Sequence, residues 1–205
     1  MSIVRAERAR SGTALALGGI ALDLALALLV GLIRNASGPV GERHVEGALP
    51  TVAIALAVAA PGIVALVGVV RKRAALYLAA AIACLPIAVI SIAVMPIVVP
   101  AVLLVAAFLR DPRAAAEFGP LDGVIAIGFA VPVAVGVLIL VTRTVPYSYT
   151  FANGHEGGDA FTRGHAVLSI ALTVVDIAVV ALLSGLPRGR TAVDHRQRTR
   201  ARAPM

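Results

Sequence analysis

Four stretches of the chain, residues 12–33, 49–70, 122–142 and 165–186, are apolar over roughly 20 residues, the length an α-helix needs to cross about 30 Å of hydrocarbon. Backbone N–H and C=O groups find no partners in lipid, so such runs fold as helices packed side by side. A water-soluble domain is excluded: 60% of the residues are hydrophobic and 14% charged, too little polar surface to cover a globule. The expected fold is all-α, a polytopic helical membrane bundle. Cys84 is the only cysteine, which excludes an internal disulfide and a Cys-based metal cluster.

A fifth stretch, 74–109, carries no charge and is too long for one ordinary span. Cations resolve its meaning. They cluster at Arg5, Arg8 and Arg10, at Arg71, Lys72 and Arg73, and in the tail from Arg188 to Arg202. The positive-inside rule puts all three clusters, and both termini, in the cytoplasm. An even number of crossings therefore lies between 73 and 187. The spans 122–142 and 165–186 supply two, so 74–109 supplies two or none. We read it as a hairpin of two short helices, turning near Val94–Met95, with Pro96 opening the second helix. Six membrane segments result. The chain divides into a basic N-terminus (1–11), one membrane domain (12–186) and a basic, disordered tail (187–205). The first span exceeds the apolar core of a cleaved signal peptide and is interrupted by Asp23.

Loops 34–48 and 143–164 lie outside. The second carries Tyr147, Tyr149, Phe151 and Phe161 as interfacial aromatics, and the glycines of ANGHEGGD mark it as flexible. Neither loop is long enough for a domain, so function sits in or against the bilayer.

Two carboxylates stand where they are costly. Asp23 and Asp176 each lie eleven residues into a span, near the midplane, where insertion of an aspartate costs about 2.5–3.5 kcal/mol. Gly12, Ala16, Gly19, Ala27 and Gly31 share the Asp23 face, a small-residue stripe that permits close helix approach. His165, Ser169, Thr173 and Asp176 form one polar stripe from the outer surface to a buried acid. This stripe has two readings. It is a proton or cation path with His165 at its mouth. Alternatively, Ser169 and Thr173 bond carbonyls of their own helix and Asp176 is protonated against a neighbour. No Lys or Arg lies within a span, so neither acid gains an internal salt bridge.

His44 and Glu46, before the second span, are further mouth candidates and the raw material of a weak metal site. Pro61 with Gly62, Pro86 and Pro132 each remove a helical hydrogen bond. The arginine-rich tail fits anionic lipid headgroups, and nucleic acid is not the expected partner. No phosphate-binding glycine loop, metal helix motif or nucleophile elbow is present, and no cofactor is implied.

An arginine before the first helix (Arg10), Asp23 in its middle (IALDLALALLVGLI) and Asp194 in a basic stretch after the last helix (LPRGRTAVDHRQRT) resemble the RDD family of membrane proteins. The family arginine usually precedes the aspartate by about two turns, where this chain has Leu15 and Ala16. A Gly-Lys segment between inner helices is also absent. The resemblance implies transport or cation/proton exchange, with Asp23, Asp194 and Arg10 as the family-like positions.

The leading expectation is a small cation/proton-coupled transporter of the plasma membrane using Asp23 and Asp176. The alternative is a non-catalytic assembly protein, its acids and small-residue face specifying packing with itself as a homo-oligomer or with a membrane protein partner. An embedded enzyme ranks last, with His44, Glu46 and His165 as its reactive candidates. Lys72 is the one lysine among 18 Lys and Arg residues, a bias of GC-rich bacteria.

Overall fold

The computed structural model describes residues 2–37, 47–90, 96–112, 114, 118–151 and 154–185. They form six helices: α1 (Ser2–Ser37), α2 (Leu49–Arg71), α3 (Ala75–Ile90), α4 (Val98–Arg110), α5 (Pro120–Thr142) and α6 (Arg163–Gly185). Four of them, α1, α2, α5 and α6, are long and apolar enough to cross a membrane, and α3 and α4 are shorter apolar helices. The helical bundle is as expected. A two-stranded antiparallel hairpin, β1 (Thr144–Phe151) with β2 (Gly154–Phe161), is added to it.

The helices stand in two rows of three. One row is α1, α2 and α6, and the other is α4, α3 and α5; α2 and α3 pack across the middle. Alanine and glycine fill the contacts. Ala16, Ala57, Ala60, Ala79 and Ala80 are fully or almost fully buried, whereas Leu28, Leu109 and Leu182 point outward. The pattern suits lipid as solvent: small residues let backbones meet, and bulky apolar side chains face the acyl chains.

Close approaches fix the registers. On α1, Gly12 meets Ala107 of α4 and Asp111, which caps its C-terminus, and Gly19 meets Leu104, so these helices are antiparallel. Asp23 meets Gly62 and Gly31 meets Ala55, so α2 is antiparallel to α1 as well. Arg10, Arg71, Lys72 and Arg110 therefore share one end of the bundle, here the basic end. The β-hairpin marks the opposite end. Carried outward, the α1–α4 register brings Val98 only to the depth of about Ala25. At 1.5 Å per residue, the 13 residues of α4 span about 20 Å. Pro96 lies in a short 3₁₀ turn leading into α4, and the turn expected at Val94–Met95 falls outside the described residues.

One expectation is corrected. The segment 143–164 is not a flexible loop: eight residues pair with eight in continuous register from Thr144↔Phe161 to Phe151↔Gly154. The period-two alternation of TVPYSYTF carries the strand. Gly158 lies under the ring of Tyr147, whose hydroxyl donates to Glu156 Oε1 at 2.9 Å. Arg34 of α1 sits 4.5 Å from the centre of the Phe161 ring, tying the hairpin to the bundle. At the N-terminus, the first span is part of one 36-residue helix that begins at Ser2. The tail 187–205 lies outside the described residues.

A close turn of three residues joins α2 to α3. A Cβ on Gly68 would fall 2.9 Å from Leu76 Cβ and 3.1 Å from the Arg73 carbonyl oxygen, whereas Gly128 has open space. Gly68→Ala is expected to lower stability by about 1–3 kcal/mol through overpacking, and Gly128→Ala to leave it unchanged. Thermal unfolding of both variants in detergent checks this.

Candidate functional site

Pro61 has no N–H, so the Ala57 carbonyl, one turn back in α2, has no donor from that position. The next residue, Gly62, turns its N–H to another helix: it donates to Asp23 Oδ2 of α1 at 2.7 Å. Only glycine fits there, because a Cβ at 62 would lie 2.6 Å from the same oxygen. Asp23 is completely buried, and its second oxygen, Oδ1, is buried with no hydrogen-bond partner among the described residues. Cys84 of α3, also fully buried, lies within electrostatic reach of Asp23.

Asp176 approaches α2 along α6. Gly185 lies beside Arg71 at the basic end and Gly47 beside Arg163 at the hairpin end, so α6 runs parallel to α2. Asp176 is nine residues before Gly185, as Gly62 is nine before Arg71. It is 13 residues after Arg163, as Ala60 is 13 after Gly47. Both acids thus lie at the depth of Ala60–Gly62, one on each helix that flanks α2 in its row. Asp176 is buried, and its Oδ2 also has no hydrogen-bond partner among the described residues.

The polar stripe on α6 is the helix's buried face: Ala166, Ser169, Thr173, Asp176, Val180 and Ser184. Thr173 Oγ1 donates to the Ser169 carbonyl at 2.9 Å, as the simpler reading of the stripe expects. Ser169 differs. Its Oγ is buried without a partner, and a Cβ on Gly136 of α5 would lie 3.3 Å from it. The stripe therefore holds two self-satisfied hydroxyls, Thr173 and Ser184, and one hydroxyl, Ser169, that is unsatisfied among the described residues, along with an unsatisfied acid. His165, half-buried in the first turn of α6, interacts through Nδ1 with Thr162 Oγ1.

The structure does not bring every candidate together. Arg10 is exposed on α1, 13 residues before Asp23, which is about 20 Å along the axis and beyond pairing distance. His44, Glu46 and Asp194 lie outside the described residues. Among the described residues, no three His, Cys, Asp or Glu side chains converge to hold a metal ion. The small-residue stripe divides between two helices of the same chain, Gly12 and Gly19 against α4 and Gly31 against α2. Sequence reasoning missed the role of Gly62. The signal was present, since a proline followed by glycine inside a span frees backbone that another helix can use. Cys84 gave no comparable signal.

Compared with family models, curated proteins and solved structures, the chain matches none.

Two substitutions separate charge from packing. Asp23→Asn keeps an oxygen for the Gly62 N–H, whereas Asp23→Leu leaves that N–H buried and unpaired, a cost of about 1–3 kcal/mol. Gly62→Ala forces its methyl into Asp23 and should cost about as much. Melting temperatures in detergent should rank wild type and Asp23→Asn together, above Asp23→Leu and Gly62→Ala. Equal melting of Asp23→Leu and wild type would show that the bond contributes nothing.

Proposed function

We propose that the chain is a small cation/proton-coupled transporter of a bacterial plasma membrane, with Asp23 and Asp176 as its titrating pair. One observation carries this reading: two buried carboxylates with oxygens unpartnered among the described residues lie at one depth on α1 and α6, the two helices packed against α2 in its row, and Asp23 meets Gly62. No Lys or Arg lies near mid-span to neutralise them. An acid so placed must take up a proton or a cation, and an exchangeable one makes the site useful for transport. Pro61 within the continuous helix α2 denies the Ala57 carbonyl a donor, and proline at mid-span is a feature that transporter helices share. Ser169, Thr173 and His165 line the route from the hairpin end. The resemblance to RDD proteins enters this proposal through Asp23, since Arg10 is too distant to act with it.

The test is pH-dye-monitored exchange in proteoliposomes. Wild type is expected to move protons in response to a sodium or potassium gradient. Asp23→Asn and Asp176→Asn should reduce that flux at least tenfold at equal reconstitution. Absence of flux in wild type overturns the exchanger.

A second reading is favoured by the Asp23–Gly62 bond itself: the acids specify helix packing in a non-catalytic assembly protein. It predicts no cation-dependent flux and a mild Asp23→Asn phenotype.

For orientation, we place the basic end and both termini in the cytoplasm. Ser148 of β1 is exposed at the hairpin end and Lys72 is exposed at the basic end. In intact cells, Ser148→Cys should react with a membrane-impermeant maleimide and Lys72→Cys should not. The reverse labelling would invert the topology.

A further inference from the structure

Between α3 and α4 runs an apolar groove of about 390 Å³, lined by Ala81, Ile82 and Leu85 of α3 and by Val102, Ala106 and Leu109 of α4. It opens on the outside of the bundle: Val102 is 60% exposed and Leu109 74% exposed. The groove follows α4 toward the basic end. There, one turn beyond Ala106 on the same helix face, stands Arg110, exposed at the last position of α4. Among the described residues, no side chain bonds or pairs with the Arg110 guanidinium. Arg10, Arg71 and Lys72 are exposed at the same end. Asp111 and Asp122, acids of that end, are buried, so the exposed charge of these residues is cationic.

We infer that this groove is a binding site for one anionic phospholipid, an acyl chain lying between α3 and α4 and its phosphate headgroup on Arg110. The chemistry matches at both ends of the ligand. A slot without polar lining suits a hydrocarbon chain in a bundle whose bulky outward side chains already face lipid. A guanidinium at the helix terminus suits phosphate, which it binds in bidentate fashion. The site does not depend on the transport reading, and it draws its cation from Arg110, not from the arginines of the tail.

The experiment is native mass spectrometry of the full chain released from nanodiscs of equal phosphatidylglycerol and phosphatidylcholine. Wild type is expected to retain one phosphatidylglycerol at least threefold over phosphatidylcholine. Arg110→Gln should abolish the preference while one lipid of either kind is still retained. Val102→Trp, filling an exposed part of the groove, should lower retention of both lipids at least threefold at unchanged melting temperature. Preference unaltered in Arg110→Gln, retention unaltered in Val102→Trp, or a preference lost on removing residues 188–205 alone would each overturn the site.

Discussion

The contact between the Asp23 carboxylate and the Gly62 N–H is the constraint from which the bundle's interior follows. A buried aspartate at mid-span costs about 2.5–3.5 kcal/mol, and a backbone donor recovers part of that. Such a donor is normally consumed within its own helix. It is offered here beside Pro61, where the regular pattern is already interrupted. The bond also demands that α1 and α2 lie close, so the position facing the carboxylate is glycine. The same face of α1 then meets α4 through Gly12 and Gly19, and one stripe of small residues holds two neighbours.

This arrangement leaves part of the polar chemistry it buries without partners among the described residues. Asp23 Oδ1, Asp176 Oδ2 and Ser169 Oγ all lack partners inside the bundle. In a low-dielectric interior such groups are costly, and each one calls for an explanation. The parallel pairing of α2 with α6 brings the two acids to one depth.

Much of this was legible in the chain. The four long helices, the shortness of the second helix of the 74–109 hairpin and the burial of Asp23, Ser169, Thr173 and Asp176 all follow from counting residues and faces. The β-hairpin was hidden because its glycines, Gly154, Gly157 and Gly158, read as loop punctuation. In the fold they face a strand whose Tyr147 needs the space above Gly158. Gly62 was hidden for a related reason. A proline–glycine pair inside a span signals an interrupted helix, but only a second helix shows what uses the interruption.

By itself the sequence determined the solvent and the axial coordinates. Hydrocarbon thickness and the 1.5 Å rise per residue set which segments are helices and how deep each polar residue lies. Tertiary structure alone decided the lateral ones: which helix stands beside which, where the small-residue stripe is used, and that Asp23 and Asp176 lie on the two helices packed against α2 in its row. In lipid, apolarity gives no direction to helix pairing, because acyl chains are as apolar as leucine. Neighbours are chosen by close fit and by polar groups in search of partners, and those are properties of surfaces brought together, not of one chain segment read alone.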